Sequence, residues 1–302
     1  MTTRRSKRRA DSNPPEDEPE TKRKEISLTN VSLPLIGTAS WTIPKLALKH
    51  FPSSGSHLIR YSGVLNFVEI NTSFYRDHGG NTYKKWSNSV PDNFRFSVKL
   101  NKEFSHVNKL LNIEESRLES VLSSIKELGS KLFVILIQIP PSLQFFDSAE
   151  IFFAQIRKFY SGHIALEPRN ITWNSQQAKA MMKKHKISEV TADPNPMKKN
   201  KSKKIKKNNS ADVNENEIPD ANDDNENNNI DIDNDDNNST IRYYRLHGSP
   251  DIYKSSYSLE SLTKWVSLIR SGRGEFCVIF DNTQYGFATT NAIDMGKLLN
   301  EK

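Results

Sequence analysis

The stretch KLFVILIQIP (Lys131–Pro140) holds six apolar residues in a row between a lysine and a glutamine. A strand that is buried on both faces reads as such a run. Seven other runs share this character, and most of them end in polar or charged residues: Leu35–Trp41, Phe67–Phe74, Phe94–Leu100, His163–Arg169, Ile187–Asp193, Ile241–Gly248 and Glu275–Asn282. Segments of helix length separate most of the eight runs, so we predict an α/β fold, a closed (β/α)8 or TIM barrel.

The connecting segments carry apolar residues at helical spacing. A short helix ended by Pro91 is predicted after the second strand, and Asn174 or Ser175 is the expected cap of a later one. The longer predicted helices are Glu114–Leu128, Ala149–Tyr160, Trp173–Lys184, Leu259–Ile269 and Ala292–Leu299.

Two segments lack the apolar residues that a folded core needs. Residues 1–30 form a tail of basic and acidic clusters, and residues 197–240 hold a lysine run followed by an Asn/Asp/Glu tract. Such compositions cannot offset the entropy cost of ordering, so we predict that both are disordered. The remainder, residues 31–302 without this insertion between strands 6 and 7, has the length of one barrel, roughly 200–250 residues.

The net charge of the chain is +7, and the predicted barrel carries 28 basic against 19 acidic residues. A basic fold favours anionic partners, although an ordinary solvated surface is the simpler explanation. No apolar stretch is long enough for a membrane span, and the N-terminus lacks the apolar core of a secretory signal. We therefore expect an intracellular protein with no membrane contact, in the cytoplasm or, given the basic runs RRSKRR and KKNKSKKIKK, the nucleus.

Polar residues cluster near the ends of the predicted strands, where the chemistry of TIM barrels is located. Side chains along a strand alternate between its two faces, so residues two apart are predicted to share a face. The groups that share a face are Glu69, Asn71 and Ser73; Ser97 and Lys99; Glu167 and Arg169; and Arg245 and His247. With Asp193 and Asp281 these groups can neutralise one another in an internal network. A purely structural network of ion pairs is one interpretation; the other is a binding or catalytic site.

The residue types suggest roles for a site at this end of the barrel. Glu69 and Glu167 are candidate general bases and His247 a candidate acid or base. Lys99, Arg169 and Arg245 are candidate anion-binding residues. Aromatic residues near strand ends could stack on a sugar or base, although ordinary packing explains each of them equally well: Trp41, Phe74, Tyr75, Trp173, Tyr253 and Tyr257.

The sequence evidence for a cofactor is weaker than the evidence for a polar site at the strand ends. Glu167, Asp193, His247 and Asp281 resemble the ligand sets of divalent-metal barrels, but no local metal-binding motif supports a metal. The chain contains no dinucleotide-binding, Walker or serine-hydrolase motif, so no cofactor is evident. Its one cysteine, Cys277, lies within a predicted strand and is interpreted as a buried structural thiol.

Several separated motifs, in order, are similar to those of the YecE-like family, domain of unknown function 72. They are IGTASW, FVEINTSFY, Trp86 before NSVP, FRFSVKL followed by SH, LIQIPPS, ALEPRNITW, RLHG, the Tyr253/Tyr257 segment and IFDNTQYGFATTNA. The resemblance runs from about Leu35 to Leu299 without the insertion. It implies a TIM barrel and no established activity, since the likeness to metal-dependent isomerase and endonuclease barrels concerns the fold alone.

The resemblance also implies which polar positions recur in the family: Glu69, Asn71, Phe74, Tyr75, Lys99, His106, Gln138, Glu167, Arg169, Trp173, Asp193, Arg245, His247, Gly248 and Asn282. Two positions depart from the family pattern. Ser105 stands where a threonine is usual, and Asp281 replaces the first of two asparagines, which adds a carboxylate to the mouth.

Three hypotheses follow. The first is an enzyme that acts by acid–base chemistry on a small anionic substrate, phosphorylated or sugar-like. It would use Glu69, Glu167 and His247 as catalytic residues; the substrate-binding residues would be Asn71, Tyr75, Lys99, His106, Gln138, Arg169, Trp173, Arg245 and Asn282. The second is a barrel that binds or processes nucleic acid. The third is a non-catalytic scaffold, and the sequence assigns no oligomeric state to any of them.

Overall fold

Eight parallel strands close into a barrel in the order of the chain, in a computed structural model that describes residues 34–197 and 241–301. The strands are β1 (Leu35–Thr38), β2 (Phe67–Ile70), β3 (Arg95–Lys99), β4 (Leu132–Gln138), β5 (His163–Glu167), β6 (Ile187–Asp193), β7 (Arg242–Leu246) and β8 (Phe276–Phe280). The predicted TIM barrel is confirmed. The tail predicted over residues 1–30, and the insertion predicted over 197–240 apart from Met197, lie outside the described residues.

Helices follow the strands and cover the outside of the barrel. They are α1 (His57–Ser62), α2 (Gly80–Asn88), α3 (Glu115–Lys126), α4 (Ala149–Phe159), α5 (Gln176–Lys184), α6 (Leu259–Ser271) and α7 (Phe287–Asn300). None of the helices in the described ranges is long and apolar enough to cross a bilayer. The helix predicted from Trp173 begins at Gln176 instead, because Ser175 is extended and its side chain caps the backbone N–H of Ala178.

The apolar side chains of the strands pack in two places. One core lies between the strands and the helices and contains Ile70, Val98 and Leu246. A smaller cluster fills the inside of the barrel and contains Phe67, Val134 and other inward-facing residues. Because the two sets alternate along each strand, the residues that share the inward face of β2, β3, β5 and β7 include Glu69, Lys99, Glu167 and Arg245.

The first two strands approach each other closely at Gly37. A Cβ atom on Gly37 would lie 1.8 Å from the carbonyl oxygen of Phe67, so the position accepts no side chain. The hydroxyl of Tyr61 accepts a hydrogen bond from the backbone N–H of Thr38 and donates one to the Phe67 carbonyl oxygen. These contacts join the start of the barrel to helix α1 and keep β1 in register with β2.

Strand β2 is shorter than its apolar run, and this changes the position of Ser73. The chain leaves the strand after Ile70 and forms a 3₁₀ turn over Thr72–Phe74. The prediction that Ser73 shares the inward face with Glu69 is therefore wrong, because strand alternation does not continue through the turn, whereas Asn71 lies before the turn and its amide reaches the carbonyl oxygen of Ala39 in the cluster inside the barrel. Ser73 is buried and donates hydrogen bonds to the carbonyl oxygens of Ile70 and Lys99.

Candidate functional site

A fully buried arginine lies at the centre of the candidate site. The Nε and Nη2 atoms of Arg245 donate to the two carboxylate oxygens of Glu69, at 3.1 and 2.8 Å. Its Nη1 donates to Glu167 Oε2 at 2.6 Å, and Nη2 also donates to Asp281 Oδ2 at 3.0 Å. Burial opposes the charge of Arg245, but these carboxylates outweigh burial and raise its pKa well above the usual value.

His247 bridges two of the same carboxylates. Its Nδ1 lies 3.1 Å from Asp281 Oδ2, and its Nε2 lies 3.1 Å from Glu167 Oε1. Burial lowers the pKa of His247, but the hydrogen bonds to Asp281 and Glu167 outweigh burial and raise it above the usual value. Because each ring nitrogen lies beside a carboxylate oxygen, the imidazole of His247 favours its protonated form. We call Glu69, Glu167, Arg245, His247 and Asp281 the buried ion network.

The three predicted catalytic residues thus lie together, but inside this network. Glu69 and Glu167 are 0% exposed, and His247 is 3% exposed. Burial raises the pKa of Glu167, but Arg245 and His247 outweigh burial and hold it well below the usual value. A carboxylate held in this way is a weak base. The geometry therefore favours a structural and charge-orienting role for the carboxylates over direct proton transfer.

Four of the predicted substrate-binding residues line the mouth beside the buried ion network, and we call them the mouth group: Lys99, His106, Gln138 and Arg169. Arg169 donates to Glu167 Oε1 from Nε at 3.3 Å and from Nη2 at 3.1 Å. Gln138 is the inward-facing residue at the end of β4, in register with Glu167 on β5. Lys99 occupies the corresponding inward position at the end of β3.

The aromatic ring of Phe74 joins two members of the mouth group. The ammonium of Lys99 lies 4.3 Å from the centroid of the Phe74 ring. The imidazole of His106 contacts the same ring edge-on, at 5.0 Å between centroids. Burial, and then the charges of Lys99 and Arg169, lower the pKa of His106, so both cations act on this imidazole.

Two polar side chains of the mouth group are buried without a polar partner. Lys99 is 8% exposed and Gln138 is 6% exposed. Neither side chain makes a hydrogen bond or salt bridge with any residue in the described ranges, and Oε1 of Gln138 is fully shielded. Burial and the nearby Arg245 lower the pKa of Lys99 to about 8, although Glu69, Glu167 and Asp281 act in the opposite direction.

The other predicted substrate-binding residues occupy different environments. Asn71 donates from Nδ2 to the carbonyl oxygen of Ala39, and Tyr75 is 70% exposed. Asn282 is buried, and its Nδ2 donates to the carbonyl oxygen of Ser255 and to Asn291 Oδ1. The structure therefore leaves Tyr75 available to a ligand, and the Nδ2 of Asn282 joins two loops. The Oδ1 atoms of Asn71 and Asn282 are shielded and, like Gln138 Oε1, have no hydrogen-bond partner among the described residues.

Trp173 does not reach the mouth. It is fully buried in the core between strands and helices, and its indole N–H donates to the carbonyl oxygen of Leu143 at 2.9 Å. Its ring packs edge-on against Phe145. A ligand at the mouth has no access to this side chain, so the geometry favours the packing interpretation for Trp173.

Asp193 was expected in the internal network, and the structure places it elsewhere. It shares the outward face of β6 with Ile187, and its Oδ2 accepts a hydrogen bond from the hydroxyl of Tyr257 at 2.8 Å. The same hydroxyl accepts from the backbone N–H of Gly248. Asp193 therefore fixes the loop after β7. Within the described part of the chain, no group of His, Cys, Asp or Glu residues is arranged to hold a metal ion.

One member of the site was missed by sequence reasoning. Tyr243 is buried inside the barrel, and its hydroxyl donates to Glu69 Oε2 at 2.7 Å and contacts Ser97 Oγ at 2.9 Å. The signal was available, because Tyr243 is two residues before Arg245 on β7 and therefore faces the same way. Tyr243 supplies a further donor to a carboxylate that already accepts from Arg245.

A comparison with known protein families identifies the family of this chain. The profile described as "Protein of unknown function DUF72" matches residues 35–302. The chain belongs to this family. Among solved structures, a DUF72 family protein from Thermotoga maritima MSB8 is similar, with a TM-score of 0.64 at 20% identity, covering 89% of this chain and 100% of that one.

A second DUF72 protein of known structure supports the same conclusion about the fold. The protein from Enterococcus faecalis V583 matches with a TM-score of 0.62 at 20% identity, covering 88% of this chain and 95% of that chain. A search of curated proteins gave no match. At these identities the likeness concerns the barrel, and the chemistry has to be argued from the side chains themselves.

Proposed function

We propose that this DUF72 protein is an enzyme that binds a small anionic substrate, phosphorylated or sugar-like, at the carboxyl end of its barrel. The observation that supports this best is the pair of buried side chains, Lys99 and Gln138, that have no polar partner in the part of the chain that the structure describes. The Oε1 atom of Gln138 is fully shielded, and a buried polar atom without a hydrogen bond costs about 1–3 kcal/mol. A ligand that carries both an anionic group and a hydroxyl would satisfy the two side chains.

The charge of the surroundings agrees with this proposal. The three carboxylates of the buried ion network are matched by Arg245, Arg169 and Lys99, and protonation of His247 adds one further positive charge. Arg169 is the cation at the mouth that remains partly accessible, with a side-chain exposure of 20%. An incoming anion would therefore meet the positive charges of Lys99 and Arg169 at a site whose carboxylates are already matched by cations.

The acid–base part of the proposal rests on His106. This imidazole is partly exposed, and its lowered pKa keeps it neutral at pH 7, so that it can accept a proton. The predicted catalytic residues Glu69, Glu167 and His247 would then act by orienting Arg245 and by setting the local charge.

Binding of nucleic acid is the second candidate, and Tyr75 favours it. Its exposed ring lies at the rim of the mouth, with the ammonium of Lys102 5.6 Å from the ring centroid. An exposed aromatic ring beside a cation is a surface on which a base can stack. The small-ligand proposal is preferred, because Lys99 and Gln138 are buried rather than displayed on the surface.

Thermal unfolding of the full chain with added ligands tests the proposal. The panel contains inorganic phosphate, phosphorylated sugars, sugar acids, nucleotides and oligonucleotides. A ligand at about 100 times its dissociation constant should add about 2.7 kcal/mol to the unfolding free energy. The effect should disappear in Arg169→Ala and persist in Lys264→Met, a control on α6 where Lys264 pairs with Glu260 on the surface.

The panel also separates the alternatives. Stabilisation by oligonucleotides alone, lost in Tyr75→Ala, would replace the small-ligand proposal with nucleic-acid binding. If no anion stabilises the wild type, or if Arg169→Ala responds as the wild type does, the small-ligand proposal is wrong, and the buried ion network is then best interpreted as the polar core of a scaffold.

A further inference from the structure

We infer that Lys99 is a nucleophilic amine that forms an imine with a short aldehyde or ketone carrying a carboxylate or phosphate. The inference rests on the proposed function for the charge of the ligand, and adds to it the chemical group that reacts. It depends on the position of Lys99 at the inward end of β3, in the mouth, where its ammonium pairs with no carboxylate of residues 34–197 or 241–301.

A second buried lysine shows what a structural lysine looks like in this protein. Lys131 is 9% exposed, almost as buried as Lys99 at 8%. Its Nζ donates to the carbonyl oxygens of Ser87 and Val90, at 2.8 and 2.7 Å, and lies 3.6 Å from Asp92. Lys99 has no such acceptor among the described residues. The difference identifies Lys99 as the buried lysine that is not committed to holding the fold.

The surroundings of Lys99 suit a neutral amine. The ring of Phe74 covers it, and Arg245 repels a positive charge at this position. A lysine that is desolvated and lies beside another cation is the usual form of an imine-forming residue. With a pKa of about 8, about a tenth of the Lys99 side chains would carry a free electron pair at pH 7.

The remaining mouth group supplies the other parts of the reaction. Arg169 would hold the anionic group of the ligand, and the unpartnered amide of Gln138 would bond to a carbonyl or hydroxyl oxygen. His106 contacts the same Phe74 ring as Lys99, and its neutral imidazole can take up and return a proton. These three side chains approach the ligand from β4 and from the loops that follow β3 and β5.

The reaction is a condensation that needs no oxidant or reductant. The nitrogen of Lys99 attacks the carbonyl carbon, the π electrons move to the oxygen, and this oxygen gains the proton that the nitrogen loses. The carbon–oxygen bond then breaks, with a second proton converting the leaving hydroxyl to water. The product is an iminium ion, and one molecule of water is released. Such an ion withdraws electrons from the neighbouring carbon, which favours proton removal or carbon–carbon bond cleavage there.

Reductive trapping tests the inference on the full chain. The protein is incubated with glyoxylate, pyruvate or glyceraldehyde 3-phosphate and sodium cyanoborohydride, which delivers hydride to an imine and makes the adduct permanent. Peptide mapping by mass spectrometry then locates the adducts. We expect Lys99 to be labelled at least tenfold faster than exposed lysines such as Lys102, with a rate that rises with pH and levels off above about pH 8.

Two matched variants complete the test. Lys99→Arg keeps the positive charge and removes the amine, so it should abolish the fast adduct, while Lys102→Arg should retain it. Labelling of Lys99 no faster than of Lys102 in the wild-type chain would overturn the inference without any need for a folded variant.

The outcome is distinguishable from that of the proposed function. Anions without a carbonyl group, such as lactate and glycerol phosphate, test anion binding by thermal unfolding alone. Stabilisation by these anions with no adduct at Lys99 would refute the imine and leave the proposed function intact. A fast adduct at Lys99 without such stabilisation would support the amine chemistry and contradict the anionic site.

Discussion

Replacement of Lys99 by Met is expected to stabilise the barrel at neutral pH. The pKa of Lys99 falls from 10.5 in the unfolded chain to about 8 in the folded protein, because burial and Arg245 disfavour its charged form. Each pKa unit is worth 1.36 kcal/mol, so the buried ammonium costs about 3 kcal/mol at pH 7. Methionine has a similar shape and no charge, so most of this cost should be recovered.

The stability difference between Lys99→Met and the wild type should depend on pH. Between pH 8 and 10.5 the unfolded chain binds more protons at Lys99 than the folded protein does, so the wild type gains stability relative to the variant as the pH rises. The advantage of Lys99→Met should therefore be greatest below pH 8, fall by more than half by about pH 9.5, and vanish above 10.5.

Urea denaturation at pH 7 and pH 9.5 measures the effect, which corresponds to a midpoint about 1 M higher for the variant at pH 7. The control is Lys102→Met at an exposed position, with an expected change within about 0.5 kcal/mol. If Lys99→Met is less stable than the wild type at pH 7, or if the difference does not change with pH, the ammonium is satisfied in the folded protein. Lys99 would then have a partner in the folded protein, contrary to this prediction.

Three further predictions concern the buried ion network and the barrel wall. The pKa of His247 is raised in the folded protein, so protonated His247 stabilises the fold fully below the unfolded pKa of 6.5, and this contribution is lost as the pH rises through the folded pKa. The wild type should therefore be more stable than His247→Gln at pH 5, and the difference should shrink towards pH 8 in urea titrations. Arg245→Met should cost about 3–5 kcal/mol in unfolding free energy, since three carboxylates lose their partner; a neutral result would show that they are protonated or solvated. Gly37→Ala should lower the unfolding free energy by about 3 kcal/mol or more, measured by thermal unfolding, because the new Cβ meets the Phe67 carbonyl oxygen. The control Gly79→Ala places a Cβ where no atom lies within 4 Å and should change the stability little. Equal effects of the two variants would contradict the close packing at Gly37.

The barrel could be predicted from the sequence because its strands are buried on both faces. Each run of apolar residues marked one strand, and β6 matches its run, Ile187–Asp193, residue for residue. Alternation also placed Glu167 and Arg245 correctly on the inward face. It failed at Ser73, because the chain turns after β2, and the backbone conformation that ends a strand is not encoded in the spacing of apolar residues.

The partners within the site could not be predicted in the same way. Arg245 contacts Glu69 across a separation of 176 residues and Glu167 across 78, so the pairing depends on the geometry of the closed barrel. Asp193 was grouped with these residues because it is charged and ends a strand, although its side chain faces outward to Tyr257. Within the described ranges Lys99 and Gln138 lack a hydrogen bond or ion pair, and no sequence pattern reports such an absence.

The contacts of Arg245 also affect the order in which the barrel can form during synthesis. This residue on β7 is neutralised by carboxylates on β2, on β5 and directly after β8, so a nascent chain that has not released β8 lacks one of its three acidic partners. A partial barrel would enclose an incompletely compensated set of charges. The energetic gain of closure therefore comes late, when the last strand leaves the ribosome, and truncated chains ending before β8 should be digested rapidly by proteases.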